Sequence, residues 1–327
     1  MRPQALSDHD GDLRALHEAA GVLGDAALPA GRRRLTLQKQ PYFDYSAIVE
    51  RPQFSWPGGK RLAFHLCLNL EAFAYNTGLG ISYSPGLPHP NSYNWGWREY
   101  GNRVGVWRLI KLFDEIDLPV SVLLNSEVYD HCPQVVAALR KRGDEIVGHG
   151  RTNSEHQNDF NEAGERKLIA EVTEAVRKHE GKPPAGWLSP GVNPSKATPD
   201  LLREAGYRYI LDWPIDDQPV WMRTRSGPIL SVPYPHEVND IPMVALHHGT
   251  AEKFADMIVD NFDEMLEQSR EQSLVYGVSI HAFIVGQPFR LRHFRRALQH
   301  VRKGSDRVWF ATTGQIAQHF AQVVPAP

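Results

Sequence analysis

From about residue 61 onward, short apolar runs alternate with longer amphipathic stretches along the rest of the 327-residue chain. The run 62–68 is apolar apart from His65 and Cys67, which is typical of a strand buried on both faces. Segment 104–116 instead repeats apolar residues at spacings of three and four, which predicts an amphipathic helix. Because parallel strands need helical crossovers, this alternation predicts an α/β fold with a largely parallel sheet.

The same reading predicts the domain organisation. Segment 75–102 has no clear period and is rich in Tyr, Trp and Gly, so we expect a long loop that forms a pocket wall. We interpret residues 45–327 as one barrel domain and residues 1–44 as an N-terminal arm. Further elements are expected as strands at 120–124, 145–148, 207–211, 229–232, 242–246, 274–280 and 307–310 and as helices at 162–179, 251–272, 288–302 and 313–322.

Composition excludes several classes of function. Lys and Arg number 36 against 38 Asp and Glu, and a net charge of −2 without a basic block argues against nucleic acid as a partner. No apolar stretch reaches the roughly 20 residues that cross a bilayer, so we expect a cytoplasmic protein with no membrane contact. Two cysteines, Cys67 and Cys132, provide neither a disulfide framework nor a thiolate zinc site.

Polar residues follow the predicted strands at the point where each strand ends. Asn69 and Glu71 end the first, His149 follows the strand at 145–148, and His281 follows the one at 274–280. Since active sites of α/β barrels lie at the carboxyl ends of the strands, these side chains are expected to share one site. A carboxylate and two imidazoles there can supply general acid and general base.

Seven segments resemble the polysaccharide deacetylase superfamily, whose shared segment is the NodB homology domain. The resemblance covers about residues 45–322 and is nearest to the branch that contains metal-independent allantoinases and cyclic-imide hydrolases. It implies a distorted (β/α)7-type barrel, a small-molecule substrate and a homo-oligomer, either a dimer or a tetramer. The segments are WPGGKR at 56–61, LNLE at 68–71, REYGNRVG at 98–105, GHG at 148–150, GWLSP at 186–190, PYPHEVND at 233–240 and SIH at 279–281.

This chain departs from the sugar deacetylases at the residues that bind their metal. Their first motif is an Asp-Asp pair, a base followed by a ligand, and here it reads Glu71-Ala72. Their second motif is His-x-x-x-His, and here the second histidine is replaced by Asn153. Ala72 cannot bind a metal, and an amide carbonyl is a poor ligand for a divalent transition metal. The resemblance with these departures predicts an enzyme without a cofactor.

Without a metal to polarise the carbonyl, the most accessible substrate is a small cyclic amide, imide or ureide with an electrophilic carbonyl. We expect Glu71 to act as the base with a pKa raised towards neutrality by burial, and His281 to protonate the leaving nitrogen. His149 or Asn153 is expected to bind the carbonyl oxygen. The residues expected to bind the substrate are Asn153, Trp187, Asp217, Glu237, Asn239 and Asp240.

Three alternatives remain open from the sequence. One is a zinc-dependent N-deacetylase of a sugar or related amide that uses Glu71 and His149 with His281 or His156 as ligands. Another is a non-catalytic binding protein. In a third, Glu71 has a purely structural role as the ion-pair partner of an arginine such as Arg98.

Overall fold

A computed structural model describes residues 39–78, 80–82 and 86–327 of the chain. Most of the predicted N-terminal arm, residues 1–38, lies outside the described residues. The compact unit runs from Pro41 to Pro327. Within the described part, no helix has both the length and the apolar character needed to cross a membrane.

The sheet confirms the predicted α/β fold. Its path runs β6-β7-β5-β4-β3-β2-β1-β8, and β9 pairs with the beginning of β1. Neighbouring strands are parallel except for β6 and β7. The strands of the described residues are β1 (Leu62–Leu70), β2 (Val120–Leu124), β3 (Glu145–Gly148), β4 (Gly186–Trp187), β5 (Tyr209–Ile210), β6 (Val220–Met222), β7 (Ile229–Ser231), β8 (Leu274–His281) and β9 (Val308–Phe310).

Helices connect these strands, and local sequence signals fix several of their starts. Asn161 and Thr250 each accept a hydrogen bond from a backbone N–H in the first turn, and Thr312 forms a capping box with Gln315. The helices of the described residues are α1 (Ser92–Tyr100), α2 (Val106–Ile116), α3 (Val128–His131), α4 (Pro133–Arg142), α5 (Glu162–Glu180), α6 (Thr198–Glu204), α7 (Ala251–Gln268), α8 (Pro288–Lys303) and α9 (Thr313–Val323).

The two faces of the sheet carry two separate apolar clusters. All nine residues of β1 are buried, and Phe64, Leu66 and Leu68 pack with the surrounding helices. Ala63 and Cys67 point the other way, into a cluster on the inner, concave face. Because side chains alternate along a strand, the inner row of β1 leads towards Glu71 at its carboxyl end.

The described sheet is a curled half-barrel, and residues outside its strands pair with the edge strand β8 along a seam. At this seam the Ser279 N–H donates to the Val238 carbonyl at 3.1 Å, and the Val275 N–H donates to the Asp217 carbonyl at 2.8 Å. The first of these bonds holds segment 233–240 beside β8, so residues from both can reach one site.

Two elements differ from the sequence prediction. The strand expected at 242–246 is wrong, because Ile241–Leu246 is a π-helical turn; Pro242 has no N–H to donate to a sheet ladder. The long loop expected at 75–102 contains helix α1, whose N-cap Asn91 accepts from the Asn94 N–H at 2.9 Å. Its Tyr, Trp and Gly residues have modest helix propensity and obscure the helical period.

We predict that Gly105→Ala destabilises the protein. A π-helical turn, Gly101–Gly105, follows α1, and a Cβ at Gly105 would overlap the Ala282 carbonyl and lie 3.3 Å from the Gly286 Cα. Such overpacking against backbone costs about 1–3 kcal/mol. Urea denaturation measures the change in the free energy of unfolding.

Gly96→Ala is the matched control. Gly96 lies in α1, and a Cβ there has no neighbour within 4 Å. Replacing a helical glycine by alanine stabilises by up to about 1 kcal/mol. Equal unfolding midpoints for Gly105→Ala and the wild type would contradict the predicted close packing.

Candidate active site

Glu71, His149 and His281 converge at the carboxyl ends of β1, β3 and β8. The Oε1 atom of Glu71 lies 3.5 Å from Nε2 of His149 and 3.5 Å from Nε2 of His281. All three side chains are at least nine-tenths buried. The structure thus brings together the three residues that the sequence analysis selected as catalytic.

Asp240 holds His281 from the side opposite Glu71. Its Oδ1 lies 2.7 Å from the His281 Nδ1, and its Oδ2 accepts the His281 backbone N–H at 2.8 Å. Burial works to lower the pKa of His281, but Asp240 and Glu71 together raise it to about 10. His281 is therefore an imidazolium at neutral pH, with Nε2–H as the donor that faces Glu71.

The expected rise in the pKa of Glu71 is wrong. Burial does act in that direction, but the facing His281, reinforced by His149, lowers the pKa of Glu71 to about 2. The sequence showed that Glu71 lies among apolar residues. It did not show that His281, whose positive charge Asp240 stabilises, lies beside Glu71. Glu71 is a carboxylate throughout the neutral range.

His149 is oriented by a backbone carbonyl. Its Nδ1 lies 2.8 Å from the Leu188 carbonyl oxygen, which fixes the Nδ1–H tautomer. The Nε2 atom is buried and has no hydrogen-bond partner among the described residues. The expected contact of His149 with a substrate carbonyl oxygen stays a prediction.

Asp212 and Ser189 support the segment that orients His149. Asp212 accepts from the Ser189 N–H at 2.6 Å and from the Ser189 hydroxyl at 2.8 Å. Burial raises the pKa of Asp212 to about 7 despite these two bonds. Its contact to Ser189 places Asp212 behind the Leu188 carbonyl.

Two buried amides fix the loop that follows β1. Asn102 donates from Nδ2 to the Glu71 carbonyl at 2.8 Å, and Asn125 accepts from the Ala72 N–H at 3.0 Å. The Asn153 N–H donates to the Ala72 carbonyl at 2.9 Å, while its own Oδ1 is buried without a partner. Asn102 was not among the predicted site residues, although its strongly polar side chain within REYGNRVG was a usable signal.

The remaining predicted binding residues separate into three locations. Asn239 is buried at the seam, where its Oδ1 accepts from the Ile241 N–H at 3.0 Å and so supports the turn beside Asp240. Trp187 is fully buried in the helix-facing core, edge-on to Tyr207. Asp217 and Glu237 are exposed and line a cavity of about 410 Å³ that Glu71 does not line.

Arg98 lies close to the site without pairing directly with Glu71. Its guanidinium is 4.6 Å from the Phe73 ring centroid and 5.6 Å from that of Phe283, so it stacks between the loops that follow Glu71 and His281. It donates to the side-chain oxygen of Asn94 at 2.9 Å.

Burial lowers the pKa of Arg98 to about 10, although the charge of Glu71 opposes this. The described ion pairs of Glu71 are with histidines instead.

The described residues do not fit the metal that the deacetylase motifs imply. No group of three or more His, Cys, Asp or Glu residues in the described part is arranged to hold a metal ion. Ala72 offers no donor atom, His281 is a cation bound to Asp240, and His156 instead lies 3.5 Å from Asp159. No step of the chemistry below is routed through a metal.

Comparison with known proteins agrees with this fold. Residues 96–210 match the profile of the family described as "Polysaccharide deacetylase". A putative polysaccharide deacetylase of Schizosaccharomyces pombe is 25% identical over 300 residues, which cover 83% of this chain and 93% of that protein.

Two solved structures share the architecture over most of their length. A probable polysaccharide deacetylase from Pseudomonas aeruginosa PAO1 is 26% identical with a TM-score of 0.74, covering 86% of this chain and 99% of the other. Puue allantoinase is 27% identical with a TM-score of 0.74, covering 87% and 100%. The distorted barrel expected from the sequence is thereby confirmed. Over most of its length the chain is thus similar to polysaccharide deacetylases and to an allantoinase, and it resembles a deacetylase- or allantoinase-like hydrolase of carbon–nitrogen bonds.

Proposed function

We propose that this enzyme opens the ring of a small cyclic amide, imide or ureide by hydrolysing a C–N bond without a metal. The observation that carries the proposal is the buried Asp240–His281–Glu71 arrangement, in which an imidazolium lies 3.5 Å from a carboxylate. This arrangement offers a proton donor and a proton acceptor in one place. The family likeness to Puue allantoinase supports a substrate other than a sugar.

The atoms available suggest how water is held. The Glu71 Oε1 atom lies 3.5 Å from Nε2 of His149 and from Nε2 of His281. A water molecule beside this carboxylate donates one O–H group to it and turns a lone pair towards the substrate carbonyl carbon. Glu71 takes the proton as the C–O bond forms.

His281 completes the reaction. When the C–N bond breaks, the departing nitrogen takes the Nε2 proton of His281 and remains in the same open-chain molecule as the new carboxylic acid. The proton on Glu71 then passes to His281, which restores both groups. A carboxylate as weakly basic as Glu71 abstracts a proton with difficulty, because base efficiency follows basicity. The site therefore suits an activated imide-like carbonyl better than an ordinary N-acetyl group. We propose that the enzyme acts on small molecules as a cytoplasmic homo-oligomer.

A substrate screen tests the proposal. Purified enzyme is assayed against hydantoins, cyclic imides, cyclic ureides and N-acetyl sugars, each before and after treatment with a chelator. Ring opening that survives chelation is the expected result. Turnover of N-acetyl sugars that chelation abolishes would support the metal-dependent deacetylase, and tight ligand binding without turnover would support a binding protein.

We predict that Glu71→Gln lowers kcat by at least about 100-fold, since general acid–base groups typically contribute that much. The amide keeps the shape of the side chain but cannot accept the proton. Initial rates are compared with those of Glu174→Gln, an exposed carboxylate paired with Arg177, which should react like the wild type. Wild-type rates for Glu71→Gln would remove Glu71 from the reaction.

Asp240→Asn should shift the basic limb of the pH–rate profile to lower pH. Loss of the Asp240 charge lowers the pKa of His281 from about 10 towards the ordinary value of about 6.5. Because the protonated ring is the active form, activity is then lost at a lower pH, and the deficit is larger at pH 9 than at pH 6. The measurement is kcat/KM across this range.

Asp263→Asn is the matched control for Asp240→Asn. Asp263 contacts His300 at 2.8 Å in the same manner, but on the protein surface. Its removal should leave the profile unchanged. An unshifted basic limb in Asp240→Asn would show that His281 is not the acid.

The site should also discriminate between substrates with and without a ring N–H. The Oδ1 of Asn153 is a buried acceptor without a partner among the described residues. A bound ring with an N–H can satisfy it, and an N-methyl ring leaves it unpaired, which lowers kcat/KM by about 10-fold or more. Rates on each active ring and on its N-methyl derivative give the ratio.

Asn153→Leu should reduce that ratio, since it removes this acceptor. Asn153→Asp, which keeps an acceptor at the same place, should preserve it. Equal rates on both rings with the wild-type enzyme would contradict the discrimination.

A further inference from the structure

A second cavity lies at the other end of the strands. It has a volume of about 510 Å³ and is bounded by residues at the starts of β5 and β7, by β6 and by helix α9. Trp221, which is partly exposed, is among the residues that line it. None of Glu71, His149 and His281 lines it. A ligand here would leave the catalytic cluster free.

Two arginines line this cavity without counter-charges. Among the residues that the structure describes, Arg203 and Arg208 make no ion pair and no side-chain hydrogen bond, and the Nε of Arg203 is buried without an acceptor. Arg225 shows the contrast, because it pairs with Glu162 at 2.8 Å and with Glu204 at 3.2 Å. Burying a guanidinium N–H without an acceptor costs free energy. The position of Arg203 therefore favours a ligand that provides a hydrogen-bond acceptor.

The other walls define what such a ligand looks like. No acidic residue lines the cavity, and Glu145, which accepts from the Tyr209 hydroxyl at 2.9 Å, lies outside the lining. The indole N–H of Trp221 donates to the Val324 carbonyl at 2.9 Å. With its N–H engaged, the partly exposed Trp221 offers mainly its ring surface.

Helix α9 provides the opposite wall. Ala317 and Ala321 are one turn apart and small, which leaves space next to the helix, and Gln318 and Gln322 add neutral amides at the same spacing. The wall therefore adds hydrogen-bonding capacity but no negative charge. Guanidinium groups bind carboxylate and phosphate oxygens through paired N–H donors.

We propose that this cavity is a binding site for a small organic anion, with a carboxylate or phosphate on a planar apolar group. The anionic group pairs with Arg203 and Arg208, and the planar group lies against Trp221. This site is independent of the reaction proposed above, so it can be tested without a known substrate.

Benzoate and benzamide are suitable probes, since they have the same size and differ in charge. Calorimetric titration of the full chain should show saturable benzoate binding and at least about 10-fold weaker benzamide binding, as expected for a charge-assisted pair. Arg203→Gln and Arg208→Gln should each weaken benzoate binding about 10-fold. Arg177→Gln, an exposed arginine paired with Glu174, should leave it unchanged.

A further variant tests the location rather than the charge. Ala321→Leu places a larger side chain in the cavity wall and should block benzoate while keeping both arginines. Arg203→Lys covers the case in which Arg203→Gln fails to fold, because it retains the cation. Absent benzoate binding, equal affinity for benzamide, or wild-type affinity in the two glutamine variants would each overturn the proposal.

Discussion

The alternation of charge across Asp240, His281 and Glu71 is the interaction on which the site depends. Each group is buried, and a buried charge is tolerated only when a partner and hydrogen bonds offset its lost hydration. Asp240 provides both for His281, and His281 provides the opposite charge for Glu71. Removing either neighbour of His281 would therefore alter the charge state of the whole group.

The fold places these three residues through ordinary strand geometry. β1 and β8 run parallel in register, with Asn69 opposite His281, so the ends of both strands reach the same level of the half-barrel. The seam bond from Ser279 to Val238 then carries Asp240 to the backbone of His281. The geometry of the site therefore follows from the register of β1 and β8 and from segment 233–240, which packs against the edge strand β8.

Sequence reasoning was successful where periodicity determines position and failed where it does not. Alternation along strands correctly placed Glu71, His149 and His281 together, because each follows a buried apolar run. Trp187 also stands at a strand end, yet it points into the helix-facing core, since a two-residue strand has too little alternation to reveal its inner face. The direction of the pKa shift of Glu71 was unpredictable because it depends on Asp240, 169 positions along the chain, through a contact that only the fold creates.

Sugar deacetylases have metal ligands at the positions that Ala72 and Asn153 occupy in this chain. Here the positive charge beside Glu71 comes from the Asp240–His281 pair instead. A divalent cation stabilises charge on a reacting carbonyl directly, whereas His281 holds one positive charge and one transferable proton on a side chain. Such a site keeps its cation only while His281 stays protonated. Alkaline pH, near the His281 pKa of about 10, therefore limits the site, and the availability of a metal does not. The smaller charge also stabilises a developing oxyanion less strongly. Under the proposed function, a more electrophilic substrate carbonyl compensates for this weaker stabilisation of the oxyanion. Ring-opening chemistry is therefore consistent with Ala72 and Asn153 at the positions of the metal ligands.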